Sequence, residues 1–273
     1  MKKLLTLFIV SLLLVAPVFS AQDKISEEYL KSKKHFAIMN PVAESIAQSI
    51  IKKSIKKEAK GKFRVKFVGY TLSSMKAGVF KYLEIIGKDV IVEGIDIPYL
   101  RIKTVSDYNR VDLTKKEPSF ITNTTLSYEF NLTEDSINQA LKKDEYKEII
   151  KRVNNFAYPL FVVNNVRAKI VNNKINLKMD YVLPLAMSGK KHTISMTSDF
   201  YVVNGKIYAK NADYDKSVGH FALNKITSLI NLLNPLGFTL DILEDNKCDA
   251  KIENIRIVDN VVKINGKIFI QGD

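Results

Sequence analysis

The segment KINLKMDYVL, residues 174–183, alternates apolar and polar side chains without a break. One face carries Ile175, Leu177, Met179, Tyr181 and Leu183. Successive side chains of a strand point to opposite faces, so this pattern predicts a strand that is buried on one side only. The functional question is whether protein core or a bound molecule covers the apolar side.

The same alternation recurs along the chain. Phe63, Val65 and Phe67 alternate with basic residues, and residues 78–105 hold short apolar runs that glycine and proline interrupt. Asparagine and glycine pairs favour the tight turns of β-hairpins. Such pairs occur at Asn172-Asn173, Asn204-Gly205 and Asn265-Gly266. Hairpin connections predict an antiparallel sheet.

Three segments instead repeat apolar residues at helical spacing. The first follows Asn40-Pro41, a good cap and first helical residue, and ends at Gly61. The second begins near Thr133, and the sequence KKDE at residues 142–145 could divide it into two. The third runs from Ser217 to Leu233. Strand segments outnumber helical ones, so we expect an α+β fold with a highly curved antiparallel sheet wrapped around about three amphipathic helices or around something else.

The first 20 residues have the features of a cleaved export signal. Lys2 and Lys3 precede an apolar run from Leu4 to Val15, which is shorter than the roughly 20 residues that span a bilayer. We expect cleavage near Ser20, a polar lead-in over residues 21–40, and one domain over residues 41–273. The mature protein is then soluble and lies in the periplasm or is secreted to the cell envelope.

The net charge of +13 favours anionic partners. Only six of the 42 basic residues are arginine, whose planar fork suits specific phosphate recognition better than lysine does. Nucleic-acid binding also needs exposed aromatic residues between basic ones, whereas here the aromatic residues lie within apolar patterns. For an exported chain, a membrane surface is therefore the favoured anionic partner, and we predict no binding to nucleic acid. Genomic composition bias remains a second explanation for the abundant lysine.

Motifs of the common catalytic and metal-binding classes are absent from the sequence. It has no nucleophile elbow, no P-loop, no glycine-rich dinucleotide motif and no paired cysteine. His35, His192 and His220 each lack a carboxylate or cysteine at a familiar ligand spacing. We therefore predict no catalytic residue, no metal site, no cofactor and no enzymatic activity.

The order of elements resembles the LmeA-type phospholipid-binding family of bacteria, long classed as a domain of unknown function. The resemblance covers about residues 41–271 and rests on four segments and their order. They are SSMKAGVFKYLEIIGKDVIVEGIDIPYLRIKTV, LSYEFNLTEDSINQALK, NPLGFTLDI and IENIRIVDNVVKINGKIFI. It implies a TULIP-like tube, a curved sheet around long helices with an apolar cavity for acyl chains. Family members are envelope proteins that bind phospholipid non-covalently, and the resemblance offers no catalytic residues.

Physical chemistry is compatible with such a ligand, since each buried methylene contributes about 0.8 kcal/mol without any polar contact. The predicted cavity lining is Ile46, Ile50, Phe80, Leu83, Ile137, Leu141, Leu177, Met179, Leu229, Leu233 and Phe238. The predicted headgroup contacts are Lys52, Lys53, Lys56 and Lys57. For each residue, packed core or a solvated helix face is the competing interpretation.

The sequence thus predicts a non-enzymatic protein that holds or carries phospholipid in the cell envelope and transiently contacts anionic membranes. One alternative is a structural or protein-interaction module without a lipid ligand, whose helices fill the sheet. The other is a lipid-modifying enzyme, which would need a reactive polar cluster at the cavity mouth that the sequence does not offer.

Overall fold

A computed structural model describes residues 41–112, 119–159, 161–186, 190–215, 223–234, 236–237 and 248–272. Its helices are α1 (Pro41–Glu58), α2 (Leu72–Lys76), α3 (Glu134–Leu141), α4 (Asp144–Ala157) and α5 (Leu223–Leu233). Its strands are β1 (Lys60–Gly69), β2 (Val79–Val92), β3 (Ile95–Thr104), β4 (Asn109–Asp112), β5 (Ser119–Phe120), β6 (Thr124–Leu132), β7 (Val162–Val171), β8 (Lys174–Val182), β9 (Lys191–Val203), β10 (Lys206–Tyr214), β11 (Cys248–Val258) and β12 (Val261–Ile270). A short 3₁₀ turn, Pro184–Ala186, follows β8.

The strands form two antiparallel sheets. The large sheet has the order β11-β12-β6-β3-β2-β4-β5, with β1 also paired to β2, and the small sheet has the order β10-β9-β8-β7. The expected α+β class with antiparallel pairing is confirmed. The strands divide between two sheets, however, where the sequence suggested one. The part of the chain that the structure describes also contains five α-helices rather than about three, because the second helical region divides near KKDE and α2 adds one turn.

Local sequence signals account for much of this arrangement. The alternating residues Ile175, Leu177 and Met179 of β8 are buried, whereas the polar residues between them are partly exposed. Thr133 caps α3 through a reciprocal pair of hydrogen bonds with Ser136, so the predicted helix start is confirmed. A third helix is confirmed over Leu223–Leu233, and the earlier part of its predicted range, residues 217–222, lies outside the described residues.

The predicted turn at Asn265-Gly266 is wrong, because both residues lie within β12. The chain instead turns at Asp259 and Asn260, which have positive φ angles of 54° and 59°. Gly266 is needed mid-strand because a Cβ there would lie 2.1 Å from the Lys251 carbonyl oxygen of β11 and 2.6 Å from the Tyr128 hydroxyl oxygen of β6.

Side chains from α1 bond the backbone of β1, the strand that forms one edge of the large sheet. The Glu44 carboxylate accepts a hydrogen bond from the Gly69 N–H at 2.9 Å, and the Gln48 amide donates to the Phe67 carbonyl at 3.3 Å. Four helical residues rise about 6 Å and two strand residues advance about 6.6 Å, so the two spacings match. The helix therefore completes part of the edge as a neighbouring strand would.

We call such a pair of hydrogen bonds, from helix side chains to the backbone of an edge strand, an edge ladder. A second edge ladder joins α3 to β7, an edge strand of the small sheet. Glu134 accepts from the Ile170 N–H at 3.0 Å, and Asn138 bonds both the N–H and the carbonyl of Ala168 at 2.9 and 2.8 Å. Again the helix steps by four residues while the strand steps by two. Helices α1 and α3 are therefore attached to their edge strands by the same arrangement of side chains.

Asparagine side chains bond strand edges at two further places. Asn154 of α4 bonds both backbone groups of Val163. Asn231 of α5 accepts from the Ala209 N–H at 2.6 Å. Helix side chains thus bond backbone groups of β1, β7 and β10, which occupy outer positions in the two sheets.

Helix α3 bridges the two sheets. On one side Asn138 bonds β7, and on the other Gln139 accepts a hydrogen bond from the Asp96 N–H of β3 at 2.6 Å. Its apolar residues Ile137 and Leu141 are buried between them. None of the described helices is both long enough and apolar enough to cross a bilayer.

Candidate functional site

Most residues of the predicted lining belong to one continuous apolar core. The large sheet contributes Phe80 and Leu83, the small sheet contributes Leu177 and Met179, and α3 lies between them. The buried members of the predicted lining are Phe80, Leu83, Ile137, Leu141, Leu177, Met179 and Leu233. Each of these side chains is at most 7 % exposed, so protein atoms surround them. Their contact with a lipid remains a prediction.

The remaining members of the predicted lining lie elsewhere. Ile50 and Leu229 are partly buried against the core, and Phe238 lies outside the described residues. Ile46 is 44 % exposed and points away from the core. The reason is helical geometry, because α1 turns a different set of residues to the core. That set is Ala43, Ala47, Ile51, Ser54 and Ile55.

A second surface of α1 combines apolar and basic side chains. We call it the α1 stripe, and it consists of Val42, Ile46, Ile50, Lys53 and Lys57. At 100° per residue these positions fall within an arc of about 80°. Val42 is 65 % exposed, and both lysines are exposed. The stripe is therefore apolar toward the start of the helix and cationic toward its end.

The other two predicted headgroup contacts, Lys52 and Lys56, are exposed beside the α1 stripe. Within the described residues, none of these four lysines of α1 forms an ion pair. The structure therefore brings the four ammonium groups together on one end of α1, as the sequence pattern predicted. Their contact with a membrane remains a prediction.

The buried faces of the sheets also contain an unpaired polar group. The Tyr128 hydroxyl has no hydrogen-bond partner among the described residues, although its side chain is only 4 % exposed. Burial raises the pKa of this phenol above its usual value, so the group keeps its proton at neutral pH. A protonated, unpartnered hydroxyl in an apolar setting is a hydrogen-bond donor without an acceptor.

Sequence reasoning missed a groove on the outer face of the large sheet, with a volume of about 650 Å³. We call it the outer groove, and its lining residues are Lys66, Val68, Lys81, Tyr82, Lys103, Thr104, Val105, Ser106, Asp107 and Ser127. They come from strands β1, β2, β3 and β6 and from the loop after β3. Strand register aligns them, since Lys66 lies opposite Glu84, and Glu84 lies opposite Lys103. A linear motif search cannot detect such a set.

Among the described residues, the lysines of the outer groove form no ion pair, although Glu84 lies between Lys66 and Lys103. Glu84 pairs instead with Arg101, whose guanidinium nitrogens lie 2.6 and 2.7 Å from one carboxylate oxygen. The Lys66 ammonium lies 5.7 Å from the centre of the Tyr82 ring. Burial, together with Glu84, raises the pKa of Tyr82, which keeps the phenol neutral. The groove therefore combines basic groups with a neutral aromatic ring.

Comparisons with known protein families, curated proteins and solved structures found no match to this chain. Among the residues that the structure describes, no group of three or more histidine, cysteine, aspartate or glutamate side chains is placed to hold a metal ion. The candidate functional surfaces are therefore defined by geometry alone. They are the α1 stripe, the outer groove and the apolar core around α3.

Proposed function

We propose that this chain is an exported, non-enzymatic phospholipid-binding protein of the cell envelope that docks transiently on anionic membranes through the α1 stripe. The observation that carries the proposal is the exposure of Val42 and Ile46 on the same helical surface as Lys53 and Lys57. Apolar side chains can enter the acyl boundary while ammonium groups stay with the phosphates.

The expected strength of docking is modest. Each lysine near an anionic surface contributes about 1 kcal/mol, and full burial of a valine or isoleucine contributes about 1.5–3 kcal/mol. The gross gain is then several kcal/mol, which suits reversible contact rather than permanent anchoring. A protein that carries lipid must release the membrane, so weak docking is compatible with the proposed role.

For the lipid itself, we propose that acyl chains enter between the two sheets, in a TULIP-like arrangement around the bridging helix α3. The apolar faces of β2 and β8 supply the hydrocarbon contacts, and the Tyr128 hydroxyl supplies a donor for an ester oxygen. Because protein atoms cover these faces, uptake requires the sheets to separate. This separation must break the hydrogen bonds between Gln139 and Asp96 or those between Asn138 and Ala168.

Vesicle co-sedimentation tests the docking step. We expect binding to vesicles that contain phosphatidylglycerol and little binding to pure phosphatidylcholine. Replacing Lys53 and Lys57 by glutamine should weaken binding by about tenfold or more, given about 1 kcal/mol per lysine. The matched control is Lys169→Gln with Lys263→Gln, the same charge change on β7 and β12, which should have a smaller effect. Equal losses in both double variants would show diffuse attraction and contradict docking through α1.

Native extraction tests the ligand. Protein purified without detergent is extracted with organic solvent, and we expect phospholipid in the extract by mass spectrometry and uptake of a fluorescent phospholipid. Tyr128→Phe should reduce retention without lowering the melting temperature, because the hydroxyl lacks a protein partner. Absence of both co-purified lipid and uptake would contradict the proposal.

The packing of the core favours a second candidate, a protein-interaction module without a lipid ligand. Seven residues of the predicted lining are almost completely enclosed by protein atoms. If this candidate is correct, the extract contains no lipid and a stoichiometric protein partner is recovered from the envelope fraction. The exposed α1 stripe would then contact that partner.

A further inference from the structure

We infer that the outer groove is a binding site for a phosphate ester that carries a small apolar or glycerol-like group. Three lysines line a groove that is large enough for such a group: Lys66 of β1, Lys81 of β2 and Lys103 of β3. In the described part of the chain, none of the three pairs with a carboxylate. The groove therefore holds positive charge that an anion can neutralise.

The charge balance fits a phosphate. The three ammonium groups are opposed within the lining by the single carboxylate of Asp107, which leaves a net charge of about +2 if all of these groups are ionised. A phosphate monoester carries about −1.5 to −2 at neutral pH. Glu84 does not cancel this charge because Arg101 already neutralises it. Ser127 adds a hydroxyl on the same face, opposite Lys103 in the strand register.

The non-polar part of the lining selects an ester over the free anion. The Tyr82 ring, Val68 and Val105 lie in the same groove, and Val105 is largely exposed. Inorganic phosphate can satisfy the lysines but leaves these surfaces in contact with water. An ester also covers this apolar area and removes it from water, which favours binding. The lipid headgroup and the free phosphate ester share this chemistry.

The groove is anchored by ordered backbone. Thr104 accepts a hydrogen bond from the Leu83 N–H at 3.1 Å, and the carbonyl of Asp107 accepts one from the Tyr70 hydroxyl. Val68 directly precedes Gly69, which Glu44 of α1 bonds. The groove and Glu44 of α1 therefore lie near the same end of β1. The groove can nevertheless bind a soluble ester whether or not α1 docks on membranes.

Isothermal titration calorimetry in the absence of vesicles tests this site. The probes are glycerol 3-phosphate, inorganic phosphate and dihexanoyl phosphatidic acid below its micelle concentration. We expect both esters to bind more tightly than inorganic phosphate. Lys66→Gln with Lys103→Gln should lower affinity for the esters at least about tenfold, at roughly one tenfold step per 1.4 kcal/mol of lost interaction. Tyr82→Ser should reduce the preference for esters while phosphate binding changes less.

Matched controls separate this site from general charge and from membrane docking. Lys169→Gln with Lys263→Gln removes the same charge outside the groove and should change affinity less than about twofold, since exposed charges far from the site are screened. Lys53→Gln with Lys57→Gln should weaken vesicle binding but leave ester binding unchanged. Unaltered melting temperatures would establish that the variants fold.

Three results would overturn the inference. One is the absence of ester binding at millimolar concentration by the folded wild-type protein. Another is an equal loss in the groove variant and the control variant, which indicates diffuse attraction. The third is equal affinity for inorganic phosphate and the esters, which indicates an adventitious anion site. If dihexanoyl phosphatidic acid binds and glycerol 3-phosphate does not, the ligand is a lipid headgroup rather than a soluble ester.

Discussion

Helices α1 and α3 meet the sheet edges in the same way but differ on their other faces. In both, a glutamate and an amide four residues later bond strand backbone groups two residues apart. The second side of α3 packs on β3, where Gln139 bonds Asp96. The second side of α1 presents Val42 and Ile46 to solvent. An identical attachment therefore produces a structural bridge in one place and an available surface in the other.

The difference shows which part of a helix defines its role here. The edge ladder fixes the position of each helix and explains why Glu44 and Glu134 stand where they do. The opposite face then decides between a contribution to the core and a contribution to binding. Substitutions on matched positions of α1 and α3 can test this division.

The largest contrast is expected between two isoleucines. Ile137 of α3 is completely buried, so Ile137→Ala should lower the free energy of unfolding by about 2–5 kcal/mol. Ile46→Ala on the α1 stripe should change it by only about 0.5 kcal/mol, as for ordinary surface positions. Urea denaturation followed by circular dichroism measures both. A large loss of stability in Ile46→Ala would show that the α1 stripe packs on the protein rather than remaining free.

A smaller contrast is expected between the two ladder amides. Asn138→Ala leaves both backbone groups of Ala168 without this partner and should cost about 1–3 kcal/mol. Gln48→Ala removes one long bond at 3.3 Å and should cost about 0.5–1 kcal/mol. Because both variants shorten an amide to the same methyl group, thermal unfolding compares them directly. Equal losses would mean that the two ladders stabilise the fold equally.

The smallest effects concern ion pairs next to β1 and β7. The Thr193 hydroxyl and Arg167 hold the pKa of Asp180 below its usual value of 3.8. Asp180 thus adds stability above that pH, and this stability is lost as the pH falls below 3.8 through the folded-state pKa. In acid titrations of unfolding, Asp180→Asn should therefore flatten the decline below about pH 4.

The matched substitution near β1 is Asp89→Asn. Asp89 pairs with Lys62 at 3.2 Å, but the two side chains are 71 % and 83 % exposed, respectively. Exposed pairs of this kind contribute little, so the free energy of unfolding in urea at neutral pH should change little. A loss of stability in Asp89→Asn that equals or exceeds the loss in Asp180→Asn would contradict the expected order of the two pairs.

Local patterns predicted the parts of the fold that local physics determines. The alternation of residues 174–183 identified β8, and Thr133 identified the start of α3. Both signals could be detected because side-chain periodicity and helix capping depend on residues that are close together in the sequence. Non-local features could not be predicted in this way. The division into two sheets depends on pairing between distant strands, such as β6 with β12. Gly266 was assigned to a turn because its actual constraints, the Lys251 carbonyl and the Tyr128 side chain, lie on other strands.

The candidate surfaces show the same contrast between features that neighbouring residues determine and features that depend on distant strands. The lysines of α1 were predicted together, since helical spacing brings neighbours in sequence to one end of the helix. The outward position of Ile46 was missed, because two adjacent apolar arcs on α1 look like one in sequence. The outer groove was missed because Lys66 and Lys103 meet only through the register of β1, β2 and β3. Phospholipid binding itself remains a prediction for the experiments above.

The edge ladders give this protein built-in reporters for hydrogen exchange. The amide protons of Gly69, Ala168 and Ala209 are held by helix side chains rather than by a neighbouring strand. Their exchange rates therefore register the undocking of α1, α3 and α5 separately, even while the sheets stay intact. If the sheets part at α3 during lipid uptake, the Ala168 amide should exchange faster in the presence of lipid, while the Gly69 amide keeps its protection.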